Sequence, residues 1–217
     1  MLKLSLSEFL GTFFLVFSIF LSVAFAGNMA PLAIGVTLMV AIYALGQVSG
    51  GHFNPAVTLA VWFRGKLETE KVAFYIVAQI LGGVVAALVA LYLAGDISKI
   101  KVEGIAPGVD ASPTSAMVVE LIFTFLLCLT VLMTATSSRT AGNQYFGLAI
   151  GFVVVCGAFA GGAISGGAYN PAVALAGHLA NISKISGNLG TLFVSYLLPQ
   201  IVAAFLASLT FKYLIEE

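Results

Sequence analysis

A stretch rich in glycine, with an Asn-Pro pair, occurs twice in this chain. Residues 49–60 are Ser-Gly-Gly-His-Phe-Asn-Pro-Ala-Val-Thr-Leu-Ala, and residues 165–176 are Ser-Gly-Gly-Ala-Tyr-Asn-Pro-Ala-Val-Ala-Leu-Ala. Each copy has a Gly-Gly turn and then an Asn directly before a Pro, at Asn54 and Asn170. An Asn cap followed by Pro at the first helical position is a signal for the start of a helix. The repeat therefore predicts two short helices, each entered through irregular backbone.

The composition places these two helices in a membrane protein. Hydrophobic residues make up 60% of the chain and charged residues only 8%, unlike a soluble domain. Apolar segments of about 20 residues, enough to cross about 30 Å of hydrocarbon, can be placed six times. They lie near residues 7–26, 31–49, 70–94, 115–136, 145–164 and 189–213. The two Asn-Pro helices, 54–63 and 170–179, are too short to span the bilayer. The predicted fold is therefore all-α, with six transmembrane helices and two re-entrant half-helices.

The chain divides into two related halves, residues 1–110 and 111–217. Each half holds three spans and one Asn-Pro helix, and the polar stretch 95–114 connects them. An odd number of spans inverts the second half relative to the first, and inverted repeats with broken helices are a transport architecture. The distribution of basic residues favours cytoplasmic termini. This orientation places Lys3, Arg64, Lys66, Lys71, Arg139 and Lys212 inside, and Lys99, Lys101 and Lys184 outside.

Several classes of function find no support in the sequence. The formal net charge is zero and there is no basic run, which argues against a nucleic-acid partner. Cys128 and Cys156 lie inside apolar spans, so they indicate small core residues and neither a disulfide framework nor a zinc site. His52 and His178 are isolated from other metal-type ligands, and no nucleophile–base pair is present. We therefore expect no enzyme activity, no bound metal and no cofactor.

Two acidic residues, Glu8 and Glu120, lie within predicted spans of the first and second halves. A carboxylate in hydrocarbon is costly, so such a residue usually faces the bundle interior and has a partner. One interpretation is a proton relay. The favoured interpretation is that each glutamate accepts hydrogen bonds from amides of a Gly-Gly loop, because loop amides at membrane depth need buried acceptors. Gln79 and Gln200 form a weaker repeat-related pair.

The two Gly-Gly loops are candidates for the wall of a pore. Irregular backbone at membrane depth is tolerated where it is buried in protein or lines a watery cavity. The candidate carbonyl groups belong to Gly50, Gly51, His52 and Phe53 in the first loop, and to Gly166, Gly167, Ala168 and Tyr169 in the second. Asn54 and Asn170 can cap their own helices and still present amide donors where two positive helix ends meet. Such a site suits small neutral hydrogen-bonding molecules and disfavours cations and protons.

These features resemble the aquaporin, or major intrinsic protein, family over essentially the full chain. The resemblance rests on two Asn-Pro-Ala boxes in corresponding places of the halves, on the paired Glu8 and Glu120, and on the six spans. It implies a homotetramer with one pore per subunit, in contact with membrane lipids and small neutral permeants. Members of the family usually narrow at a four-residue filter, commonly with an Arg directly after the second box. Spacing from the two Asn residues carries this selectivity filter over to Ile34, Ala158, Gly167 and Val173.

The filter positions depart from the family pattern. Val173 takes the place of the usual Arg, Ile34 stands where water-selective members often have an aromatic residue, and Ala158 where they often have His. An Arg donates hydrogen bonds, repels cations and fills space, so its absence predicts a wider and more apolar constriction. The alternative is that another side chain, for instance from the segment 105–114, fills the gap. The glycerol-facilitating branch is no clean match either, because Val173-Ala174 replaces its usual Arg-Asp.

We therefore expect a passive channel for water and small uncharged solutes, such as glycerol, urea, ammonia or metalloid acids, that excludes ions and protons. The alternatives are a strictly water-selective pore, a secondary transporter with alternating access, and a structural membrane protein with a closed pore. The short chain and the presence of only two buried acids argue against the transporter. Short loops and the absence of a targeting extension favour a prokaryotic plasma membrane.

Overall fold

The computed structural model describes residues 1–94, 107–108, 110–180 and 189–215, and every regular element within these ranges is helical. The first half consists of two long helices, a short helix and a third long helix. Their bounds are α1 Leu2–Phe25, α2 Ala30–Ser49, α3 Pro55–Phe63 and α4 Thr69–Ala94. A single 3-10 turn, Gly27–Met29, joins α1 to α2. Most of the predicted linker, 95–114, lies outside the described residues.

The second half repeats this order of long and short helices. Its bounds are α5 Pro113–Val131, α6 Phe146–Ser165, α7 Pro171–Ala180, α8 Leu189–Leu192 and α9 Leu198–Ile215. A π-helical turn, Phe193–Leu197, joins α8 to α9 into one span. Pro199 follows this turn, and because proline has no N–H and a bulky ring, the regular hydrogen-bond pattern is interrupted there. A second π-helical turn, Leu132–Thr136, extends α5.

Six helices in the described ranges are long and apolar enough to cross a membrane, which confirms the predicted number of spans. They run Leu2–Phe25, Gly27–Ser49, Thr69–Ala94, Pro113–Thr136, Phe146–Ser165 and Leu189–Ile215. The largest difference from prediction is at the first helix, which begins at Leu2 and not near residue 7. The residues before Ser7 are mostly Leu and Lys, which are good helix formers, so the helix continues beyond the most apolar segment.

The two Asn-Pro segments are short helices, as predicted. The helix α3 has 9 residues and α7 has 10, so each rises only about 15 Å and cannot cross a bilayer. The Asn54 side chain accepts a hydrogen bond from the Ala56 N–H at 2.8 Å, and Asn170 accepts one from the Ala172 N–H at 2.9 Å. These caps satisfy backbone donors that the first turn of a helix leaves unpaired.

The two halves pack against each other through α2 and α6 and through the half-helices. At the α2–α6 contact, a Cβ atom on Gly35 would overlap the Gly151 carbonyl oxygen, and one on Gly151 would overlap the Gly35 carbonyl oxygen. The missing side chains allow the close backbone approach that is common between membrane helices. In addition, α3 packs against α9 and α7 packs against α4. Each half-helix therefore contacts the last span of the opposite half.

Candidate functional site

Two loops connect the long helices to the half-helices, and we call residues 50–54 the first loop and residues 166–170 the second loop. Both loops turn through the left-handed region of backbone conformation directly after a long helix ends. The positive φ angles are those of Gly50 (94°), Gly51 (67°), Gly166 (82°) and Gly167 (68°). Glycine reaches this region at little cost because it has no Cβ atom, so each Gly-Gly pair permits the abrupt change of direction.

A left-handed aromatic residue precedes each capping Asn: Phe53 with φ 48° and Tyr169 with φ 47°. This conformation costs a residue other than glycine roughly 1–2 kcal/mol. The Phe53 ring occupies the space that a Cβ atom on Gly11 would need, and the Tyr169 ring lies against Gly157 in the same way. The Tyr169 hydroxyl also donates to the Gly157 carbonyl at 2.8 Å. Packing of both rings into gaps left by glycine therefore holds the two strained residues in place.

Glu8 is fully buried and accepts four hydrogen bonds around the first loop. Its carboxylate accepts from the backbone N–H groups of His52 at 3.0 Å and Phe53 at 2.7 Å. Side chains supply the other two donors, the Ser49 hydroxyl at 2.6 Å and the Gln79 amide at 2.7 Å. Two loop amides thus have a buried acceptor, which irregular backbone at membrane depth requires.

Glu120 repeats this arrangement around the second loop and is also fully buried. It accepts from the backbone N–H groups of Ala168 at 2.9 Å and Tyr169 at 2.7 Å. The Ser165 hydroxyl donates to it at 2.7 Å and the Gln200 amide at 2.8 Å. In each half, the predicted glutamate and the predicted glutamine therefore meet where the loop is held. Glu8 meets Gln79 in the first half, and Glu120 meets Gln200 in the second.

The halves differ in the polar groups beside these glutamates. In the first half, the Thr58 hydroxyl lies 3.1 Å from His52 Nδ1 and accepts from Gln79 Nε2 at 2.9 Å. The corresponding residues of the second half are Ala168 and Ala174, which cannot make these bonds. His52 was predicted to contribute only its backbone carbonyl group. Its side chain also connects the first loop to the buried polar network.

The side chains of Asn54 and Asn170 each contact the opposite loop where the half-helices meet. Asn54 Nδ2 donates to the Tyr169 carbonyl, and Asn170 Nδ2 donates to the Phe53 carbonyl, both at 2.9 Å. Each amide group carries two hydrogens, so one N–H of each Asn is left for another acceptor. The two carbonyl groups, predicted as acceptors in a pore wall, already accept one bond each and keep a second lone pair.

A cavity of about 290 Å³ adjoins the two Asn side chains. All four residues of the predicted filter, Ile34, Ala158, Gly167 and Val173, line it. Val57, which occupies the same place in the first Asn-Pro helix as Val173 does in the second, lines it as well. Aliphatic side chains from four long helices complete much of the wall: Leu15, Ile19, Leu38, Leu127, Val131, Ile150 and Val154.

Of the residues predicted to present carbonyl groups, all except Gly50 line this cavity. Gly50 is exposed at the end of α2 and lies outside the lining. Glu8 and Glu120 do not line the cavity either, because they are buried behind the loops. None of the described lining residues is Lys, Arg, Asp or Glu. The wall is therefore largely apolar, and its polar side chains lie in the two loops.

The segment 105–114, predicted as another source of a side chain for the filter, is described only in part. The Gly108 N–H donates to the Ile164 carbonyl at 3.0 Å, which places this part of the linker against the end of α6. None of the described residues of the segment lines the cavity. Its remaining residues, 105, 106 and 109, lie outside the described part of the chain.

Tyr75 and Tyr196 are two of the residues at the site that were not predicted from the sequence. Their hydroxyl groups donate to the carbonyl groups of Ser49 and Ser165, each at 2.7 Å. A signal for them exists, because each tyrosine stands one helical turn before the glutamine that contacts the loop glutamate. The same spacing in both halves could have identified the pair.

The chain is similar to known proteins over nearly its whole length. The model of the family described as Major intrinsic protein matches residues 1–213. Aquaporin AqpM of Methanothermobacter thermautotrophicus is 34% identical, over 99% of this chain and 98% of its own length. Aquaporin Z of Photorhabdus laumondii is 36% identical, over 71% of this chain and 74% of its own. The solved structure of the aquaglyceroporin from Plasmodium falciparum shares the fold, with a TM-score of 0.85 at 23% identity, over 99% of this chain and 97% of its own.

Proposed function

Because the chain belongs to the major intrinsic protein family of membrane channels, we propose that it is a passive pore with a wide apolar filter. It passes water and small uncharged solutes, such as glycerol, urea, ammonia or metalloid acids. The observation that carries this proposal is the composition of the four filter positions in the cavity wall, which supply three aliphatic side chains and one glycine.

The chemistry of the filter follows from the side chains that surround it. Ile34, Ala158 and Val173 carry neither a hydrogen-bond donor nor a charge, and Gly167 contributes only backbone. An Arg in place of Val173 would add a fixed charge, up to five N–H donors and considerable volume. Without that group, a solute larger than water meets less steric resistance at this level of the cavity.

Ions and protons are expected to be excluded near Asn54 and Asn170. The helices α3 and α7 both begin there, and each helix N-terminus carries roughly half a positive charge. An aliphatic wall also makes the dehydration of an ion costly, because it offers few groups to replace water. The proposed pore therefore repels cations electrostatically and disfavours anions through desolvation.

We place the pore in a prokaryotic plasma membrane, as a homotetramer surrounded by lipid, with both termini cytoplasmic. The Arg139 guanidinium donates to the Ile215 carbonyl at 2.9 Å, and the Arg64 guanidinium lies 4.4 Å from the centre of the Phe211 ring. The basic residue that follows α3 and the one that follows α5 therefore lie at the same end of the molecule as the C-terminus of α9. Because basic residues favour the cytoplasmic side, this supports a cytoplasmic C-terminus. The relative from Methanothermobacter supports a prokaryotic host, and the homotetramer follows from the family resemblance.

Stopped-flow light scattering on proteoliposomes tests the proposal by comparing water, glycerol and urea permeability with empty vesicles. We expect all three to exceed the background. Fast water flux with negligible solute flux would contradict the wide filter and favour a strictly water-selective pore. Flux that saturates with solute and disappears without an ion gradient would instead indicate a secondary transporter.

A pair of substitutions at one position separates size from charge in the filter. We expect Val173→Arg to lower glycerol and urea permeability by about tenfold, since about 1.4 kcal/mol of added barrier suffices for that factor. Val173→Leu, the matched control, adds volume without charge or donors and should reduce solute flux less. If Val173→Arg passes glycerol and urea as well as the parent does, Val173 does not line the filter.

A further inference from the structure

In each half, a tyrosine hydroxyl group fixes the point where a long helix ends and a loop begins. Tyr75 donates to the Ser49 carbonyl and Tyr196 to the Ser165 carbonyl, both at 2.7 Å. Both tyrosines are buried, and neither lines the cavity. The same contact therefore occurs in both halves, although the His52 and Thr58 contacts occur in only one, which points to a requirement that both loops share.

Ser49 and Ser165 are held from two sides. Each is the last residue of a long helix, and a left-handed glycine follows it. Its hydroxyl donates to the glutamate of the first span in its half, at 2.6 Å in one half and 2.7 Å in the other. Its carbonyl, which has no partner within the helix, accepts from the tyrosine of the third span. Because both the hydroxyl group and the backbone carbonyl group of the serine are held, the peptide groups that follow leave the helix in a fixed direction.

The two tyrosine rings also support different parts of the cavity wall. The ring of Tyr75 lies 5.2 Å from the imidazole of His52, centroid to centroid, in an edge-on arrangement. Tyr196 belongs to the same buried cluster as Ala168 and Val173. Tyr75 therefore packs against its loop as well as bonding to the start of it, and Tyr196 lies in the buried cluster that includes a residue of the second loop.

We infer that Tyr75 and Tyr196 are positioning residues for permeation. By holding the Ser49 and Ser165 carbonyls, they orient the loop carbonyl groups that replace the hydrogen bonds of water inside the cavity. A permeating molecule gives up its hydration shell only if these acceptors have the right direction, because hydrogen bonds weaken steeply with poor alignment. This inference rests on the proposed pore but not on the range of solutes that it passes.

The substitutions Tyr75→Phe and Tyr196→Phe remove one hydroxyl group each and keep the ring. Tyr43→Phe is the matched control, because the Tyr43 hydroxyl donates to the Gln144 carbonyl at 2.9 Å and accepts from the Leu148 N–H at 3.1 Å, outside both loops. Each variant is purified as the full chain and reconstituted at equal protein content. Water permeability per channel and the midpoint of thermal unfolding are then measured for all three and for the parent.

We expect Tyr75→Phe and Tyr196→Phe each to lower water permeability per channel by about two- to tenfold, the factor that corresponds to one hydrogen bond. Tyr43→Phe should conduct as the parent does. In the double variant the two added resistances should sum, because the loops act in series along one path. If Tyr75→Phe and Tyr196→Phe conduct normally, even with a loss of thermal stability, their hydroxyl groups have only a structural role and the inference is wrong.

A second measurement, the activation energy of water permeation, does not depend on the number of active channels. It therefore tests the inference even in a variant of which only a fraction folds. It should rise in Tyr75→Phe and Tyr196→Phe and stay unchanged in Tyr43→Phe. Unchanged values in the first two would overturn the inference alone. A parent protein that conducts no better than empty vesicles would overturn the proposed function and, with it, this inference.

Discussion

Replacing Glu120 by Gln tests whether the second loop depends on a carboxylate. The donors around Glu120 are two backbone N–H groups, one hydroxyl and one amide. An ionised carboxylate accepts all four bonds, whereas a Gln side chain has one acceptor oxygen and one NH₂ group. In either orientation of the Gln, two donors face its NH₂ group where they had a carboxylate oxygen, and one of the two is a backbone N–H that cannot reorient. Since a hydrogen bond to a charged group contributes about 1.5–3 kcal/mol, the loss amounts to about 3–6 kcal/mol, offset in part because a neutral amide costs less to bury.

The assay is thermal unfolding of the purified protein, followed by the fluorescence of Trp62. A net loss of about 3 kcal/mol corresponds to a fall in Tm of about 6–12 °C for a chain of this size. Glu70→Gln is the control, because Glu70 is exposed in the first turn of α4 and its removal should change stability by no more than about 0.5 kcal/mol. An E120Q protein that unfolds within about 2 °C of the parent would show that the four donors do not need the carboxylate.

Two further predictions use the same unfolding assay. Gly11→Ala places a Cβ atom inside the Phe53 ring and should cost about 1–3 kcal/mol, whereas Gly162→Ala, which has no neighbour within 4 Å of the new atom, should leave Tm nearly unchanged. Equal Tm values for these two variants would show that the Phe53 ring moves freely. Thr58→Ala removes the acceptor of one Gln79 bond and should cost about 1–2 kcal/mol, and an unchanged Tm would mean that this bond contributes nothing.

The parts of the fold that depend on local signals could be predicted from the sequence. The six spans follow from apolar length alone, and both half-helices follow from an Asn-Pro pair, whose capping and fixed φ act within a few residues. Family resemblance then indicated which residues surround the filter, and the structure places these together in one cavity. Local signals were sufficient here because the halves repeat them, so each copy supports the interpretation of the other.

The contacts that hold the loops could be predicted only in part, because they join residues far apart in the chain. The glutamates were predicted because a charge buried in the membrane is costly and needs a partner. A tyrosine in an apolar span carries no charge, so the sequence does not indicate that its hydroxyl group has a specific partner. The strained backbone at Phe53 and Tyr169 depends on gaps at Gly11 and Gly157, and no local propensity predicts which glycine faces which ring. The prediction that Gly50 lines the pore was wrong because Gly50 is the C-cap residue of α2 and lies before the part of the loop that reaches the cavity.

The residues that hold the loops from behind are a different set from the aliphatic residues that face the cavity. Serine, glutamate, glutamine and tyrosine recur in both halves with the same contacts, behind the loops and away from the lining. The lining itself is asymmetric, with His52 in one loop and Ala168 in the other. A substitution at an aliphatic position of the lining leaves the buried acceptors of the loops satisfied. An aliphatic residue at position 173, and with it the wide filter that we propose, is therefore compatible with the contacts that hold the two loops.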